Sequence, residues 1–168
     1  MNPILIRRLT FALALFLAAL AQSAWADAMR FYGAKPDFLI LIALLGAMFC
    51  DANESACLGF FAGLLTACLA APPRGGFGSL IVSRTLVAFG VGWLEERIFR
   101  DNALLAVAIV ACGTALAEGL FFVLAPQHPI GHWARGATLT TLYNALLAIP
   151  AYFLLRRCLG PRPRPDDF

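Results

Sequence analysis

The chain has 168 residues, 61% of them hydrophobic and 14% charged, with a formal net charge of +3. Soluble domains average roughly 45–50% apolar and 25% charged residues, so this composition describes one membrane domain with little chain left for a soluble module. The small positive charge gives no footprint for nucleic acid, and twelve of the thirteen basic residues are arginine, which suits contacts with lipid phosphates at the membrane border.

The first apolar segment, residues 9–26, follows Arg7 and Arg8 and ends in Ala24-Trp25-Ala26, the pattern of a secretory signal with an A-x-A cleavage site. Its length also suffices for a span, and five more apolar segments follow, so it is expected to stay as the first of six transmembrane helices. A second helix is expected from Pro36. Proline is favoured at a first helical position, and the Asp37 carboxylate complements the helix dipole. The apolar run from Phe38 to Cys50 is short for a span, so residues 36–53 read either as a crossing with both ends at the interface or as half of a re-entrant hairpin with the next segment. That next segment, 56–71, contains the G-x-x-x-G pair Gly59 and Gly63, whose small residues let another helix approach closely, within the bundle or from a partner. It ends at Pro72-Pro73-Arg74-Gly75-Gly76, which no helix continues through.

The fourth span, 78–94, carries Arg84 about a third of the way along and runs into the charged stretch Glu95 to Asp101. A charged side chain in hydrocarbon costs about 2.5 to 3.5 kcal/mol even on lenient insertion scales, so Arg84 is expected to face protein or a wet cavity. The fifth span, 104–125, is interrupted by Thr114 and Glu118; a polar loop, 126–136, leads to the sixth, 138–155, with Tyr143, Asn144 and Pro150. Residues 1–155 thus form a single transmembrane helical domain, followed by a basic, proline-rich tail, 156–168, expected to be disordered. Eight arginines (7, 8, 97, 100, 156, 157, 162 and 164) fall on the N-terminal side of the membrane against four basic residues (Arg30, Lys35, Arg74, Arg135) on the other, which orients both termini to the cytoplasm.

Depth arithmetic at 1.5 Å per residue puts Arg84, Glu118 and Asn144 at about 9 to 10 Å from the outer ends of their helices, with Thr66 and Gln22 at roughly 6 to 8 Å. The expectation is a buried polar layer centred on an Arg84–Glu118 ion pair with Asn144 beside it; the alternative is that each charge snorkels separately to the surface. No motif suggests an enzyme. There is no phosphate-binding glycine loop, no nucleophile elbow, and no grouping that would hold a metal or other cofactor. His128 and His132 flank Pro129 and Gly131 and read as loop residues. The five cysteines show no CxxC spacing and read as small hydrophobes.

The order of these motifs resembles the rod shape-determining protein MreD family. The resemblance rests on Gln22, on Gly33-x-x-Pro36-Asp37-Phe38-Leu39-Ile40-Leu41, and on Gly59-Phe60-x-x-Gly63-Leu64-Leu65. It continues through Arg97-Ile98-Phe99-Arg100-Asp101-Asn102, Glu118, Tyr143-Asn144, Pro150 and Leu154-Leu155-x-Arg157. Many members carry an aspartate near the end of the third segment, where this chain reads Leu65-Thr66-Ala67-Cys68. The resemblance implies a non-catalytic component of the bacterial inner membrane that partners MreC. Through MreC it would connect to the actin-like MreB, the wall-building glycosyltransferase and the class B penicillin-binding protein. It also implies a six-helix fold similar to the substrate-binding subunits of energy-coupling-factor vitamin transporters, which keeps a small-molecule-binding transporter subunit as the second expectation.

Overall fold

A computed structural model describes residues 3–30, 32–70, 76–98 and 102–159; the side chains of 3–5 and 95–98 are not described. The proline-glycine break at 71–75, most of the charged loop at Phe99–Asp101 and the tail from 160 onward therefore lie outside the described residues.

Six helices follow in order: α1 (Pro3–Ala24), α2 (Phe38–Ala47), α3 (Ala52–Leu69), α4 (Phe77–Ile98), α5 (Ala103–Leu124) and α6 (Ile130–Leu159). All but α2 are long and apolar enough to cross a membrane. Their outward faces are what lipid requires: Leu104, Val123 and Leu146 are 76%, 74% and 73% exposed, a surface that water would not tolerate at this scale. The buried side is rich in small residues, among them Ala62, Ala106, Gly113, Ala117 and Ala148, as expected where helices associate by close approach rather than by a hydrophobic gain.

The short helix α2 is the centre. Eight of its ten residues are buried, and it packs against all five long helices. At about 15 Å it is too short to cross alone, yet it connects the two ends of the bundle. Beside its start lies Gln22 near the C-terminus of α1, and after its end the first turn of α3 places Glu54 against Arg7 and Arg8 at the start of α1. The turn Met48–Cys50 carries the chain from α2 to Asp51, so between Pro36 and the start of α3 only Phe38–Ala47 is helical. The reason is local: Met48 caps α2 by donating its N–H to Leu45 and Gly46 carbonyls, and Asp51 opens α3 by accepting from Glu54 N at 2.7 Å.

Helices α3 and α4 form the most extensive contact as an antiparallel pair. A Cβ on Gly59 would stand 2.5 Å from the Arg84 carbonyl oxygen, one on Gly63 2.7 Å from Ile81 Cα, and one on Gly92 2.3 Å from Ser55 Oγ. The G-x-x-x-G motif is thus used up inside the bundle and is not open to a partner. Helix α6 begins at Ile130 rather than at 138, because the Pro129 carbonyl accepts from His132 and Trp133 N–H at 3.1 and 3.3 Å. Part of the expected loop is therefore helix, and His132 sits on its first turn.

Candidate functional site: a buried polar cluster at the start of helix α2

Because α2 is short, its N-terminus lies below the end of the bundle, and non-helical backbone must enter the membrane depth to reach it. Such backbone is tolerated only where protein supplies its hydrogen bonds. Two helices supply them to backbone groups of Met29, Lys35, Pro36, Asp37 and Phe38. From α1, Gln22 accepts from Phe38 N–H at 2.8 Å through Oε1 and donates to the Pro36 carbonyl at 3.3 Å through Nε2. From α6, three polar residues reach it: Thr140 Oγ1 donates to the Lys35 carbonyl at 3.1 Å, Tyr143 OH to the Met29 carbonyl at 2.9 Å, and Asn144 Oδ1 accepts from Asp37 N–H at 3.1 Å. Before the segment reaches α2, Gly33 turns the chain with φ +86°, a region open to glycine at little cost, and Tyr32 beside it also takes positive φ.

Asp37 is the hinge of the cluster. Its Oδ1 caps α2 by accepting from Ile40 N at 3.1 Å, and its Oδ2 takes the guanidinium of Arg84 from α4. Asn144 extends the chain of bonds to α5, donating through Nδ2 to Thr114 Oγ1 at 3.3 Å. Four of the six helices, α2, α4, α5 and α6, are therefore joined through one carboxylate and one amide, and α1 joins through Gln22. Arg84, Asn144, Thr114, Asp37 and Gln22 are all buried. Within the cluster, Arg84 Nε is a buried donor with no acceptor among the described residues.

The expected layer is thus partly assembled and differently centred. Gln22, Arg84 and Asn144 meet, and Pro36 and Asp37 are in the cluster rather than merely at a helix start. The partner of Arg84 is Asp37, not Glu118. Matching depth put Glu118 level with Arg84, but a side chain needs direction as well as depth, and Glu118 turns into the space between α5 and α6. Separate snorkelling is also excluded for Arg84, which is 4% exposed and points inward. Thr66 stays out of the cluster, donating to the Ala62 carbonyl of its own helix at 2.8 Å. Thr114, which sequence reasoning passed over, is recognisable in retrospect as the residue one turn before Glu118 on α5.

At the opposite end, Arg7 and Arg8 clamp Glu54. In the turn after α1, Asp27 pairs with Arg30 and Lys35 at 2.7 and 3.2 Å, and the Arg30 hydrogen bond, then that of Lys35, holds its carboxyl below the ordinary 3.8. Compared with family models, with curated proteins and with solved structures, the chain shows no match.

Proposed function

We propose that this chain is a non-catalytic scaffold of the bacterial cell-elongation machinery, an MreD-like protein of the inner membrane that partners MreC and, through it, MreB and the wall-synthesis enzymes. One observation carries the reading. Gln22, Pro36-Asp37-Phe38 and Tyr143-Asn144, three of the separated motifs on which the resemblance rests, converge around the start of α2. Residues shared for a structural reason should meet, and these do. The cluster spends its polar groups on one another, which suits a rigid holder of partners better than a site of chemistry.

In this reading both termini face the cytoplasm, with the Arg7–Arg8–Glu54 end inside. Since Gly59 and Gly63 are occupied by α4, the bitopic partner's transmembrane helix takes another face. An apolar groove of about 450 Å³ between α1 and α6, floored by Leu41 and Ile42 and edged by Leu17 and Leu154, offers side chains of that helix an apolar surface. Cysteines placed at Leu17 and Leu154 should crosslink to the MreC transmembrane segment, and depletion of the chain from a rod-shaped source should round the cells. Normal rods after clean depletion would remove the reading. The alternative, a vitamin-type substrate-binding subunit of a transporter, is favoured by a cavity of about 460 Å³ beside Glu118 at the end where α5 meets α6. Co-purification with MreC supports the scaffold; a stoichiometric small molecule in the purified protein together with a partner ATPase pair supports the transporter.

A further inference from the structure

Glu118 is the only acidic residue of α5; among the described residues no hydrogen bond or ion pair ties it to the polar cluster, whose Arg84 it meets only through the longer-range field. It stands one turn beyond Thr114, so it lies on the same side of the helix, toward the end of the bundle that carries the 125–129 loop. There it borders two adjoining spaces. One, about 460 Å³, reaches toward the loop and is edged by Gln127, His128 and His132. The other, about 330 Å³, reaches the lipid-facing flank beside Ala115 and the half-exposed Leu142. Glu118, Trp133 and Ala137 border both, so the carboxyl sits at a junction between the loop-facing space and the one on the outer flank of the bundle.

Trp133 supplies a second unsatisfied group. Its Nε1 is buried with no acceptor among the described residues, while its ring is stacked on Phe122 at 4.2 Å between centroids, which fixes the indole plane. The junction is therefore bordered by a carboxyl group and an indole N–H, neither of them hydrogen-bonded among the described residues, against an aromatic wall. A simple anion would be repelled by Glu118, and a simple cation would leave the indole N–H unused. No three metal-ligating side chains converge among the described residues.

We propose that this junction binds a group in which an ammonium stands beside an anionic oxygen: the ammonium on the Glu118 carboxylate, the oxygen on Trp133 Nε1–H, with His132 at the mouth. A charge-assisted bond and a complementary neutral one then satisfy both orphaned groups at once. Two sources carry that chemistry. A zwitterionic phospholipid head, phosphatidylethanolamine, would enter by the lipid-facing opening, and a soluble zwitterion such as phosphoethanolamine by the loop-facing one. The inference goes beyond the scaffold reading and does not depend on it.

The test uses the full chain in nanodiscs of phosphatidylglycerol, with Trp25→Phe and Trp93→Phe so that Trp133 is the remaining tryptophan. Phosphatidylethanolamine is added to the bilayer in one series and free phosphoethanolamine to the buffer in another, and Trp133 emission is followed. A saturable change is expected in at least one series. A response to the lipid alone assigns the site to a head group; a response to the free compound assigns it to a soluble ligand. Glu118→Gln should weaken the apparent affinity about tenfold or more, equivalent to about 1.4 kcal/mol. Ala137→Leu, which fills the junction and leaves the carboxylate in place, should abolish the response, and it decides the matter if Glu118→Gln does not fold. No saturable response in either series, or unchanged affinity in the folded variants, overturns the proposal.

Discussion

Replacing Asp37 by asparagine removes one charge from the centre of the bundle and little else. Asparagine caps a helix about as well as aspartate, so the bond to Ile40 N–H should survive. What is lost is the partner of Arg84. The side chains of the pair are 4% and 11% exposed, and Arg84 lies seven residues into α4, roughly 10 Å from its start, too deep and too enclosed for water to take over the role. Removing one partner of a buried ion pair costs about 3 to 5 kcal/mol, because the other charge stays behind. Arg84→Met should cost a similar amount by the same argument. The double variant leaves no stranded charge, and its loss should be smaller than the sum of the two by about 2 to 3 kcal/mol. Reversible unfolding in mixed micelles, followed by helical circular dichroism, measures all four proteins. Strictly additive losses would refute the pairing, and so would a Glu118→Gln variant that couples to Arg84→Met as strongly as Asp37→Asn does.

Three further outcomes are expected. Asn144→Ala should destabilise by about 1 to 3 kcal/mol in the same assay, since it leaves the buried Asp37 N–H without its acceptor. Gly59→Ala should cost about 1 to 3 kcal/mol because the new Cβ meets backbone of α4, whereas Gly119→Ala, with open space around it, should be neutral or gain up to about 1 kcal/mol, and equal effects would mean that the α3–α4 seam is slack. Asp27, with its folded pKa lowered by Arg30 and Lys35, stabilises the α1–α2 turn above its unfolded value near 4, and that contribution fades as pH falls through the lowered value; NMR titration of its carboxyl should give a midpoint below 3.8.

The membrane class and the helical architecture were legible because lipid exposure writes itself into composition and segment length. So was the inward fate of Arg84, since the cost of a charge in hydrocarbon leaves it few places to go. Its partner was missed because Asp37 has two jobs and the simpler one, capping a helix, accounted for it. The length of the segment held the missing clue: an apolar run too short to cross implies a recessed N-terminus, and a recessed N-terminus lowers its capping carboxylate to the depth of Arg84. Glu118 failed for the opposite reason, because level is readable from sequence spacing while facing direction depends on how helices rotate when they pack. The start of α6 was hidden by Pro129, which looks like a loop residue but here precedes a first turn that its carbonyl holds in place.

The enclosure of α2 also orders events at the translocon. The helix leaves the ribosome early, yet the residues that complete its start are spaced far along the chain: Arg84 comes 47 residues after Asp37 and Asn144 another 60 later, 107 in all. Until α4 arrives, Asp37 has no counter-ion, and until α6 arrives its backbone N–H has only water. The N-terminal half cannot therefore settle into the bilayer as a finished unit, and the last helix serves as the closing piece of the assembly. A nascent chain halted before Ile130 should keep a cysteine placed at Asp37 open to a water-soluble maleimide, and release of α6 should bury it.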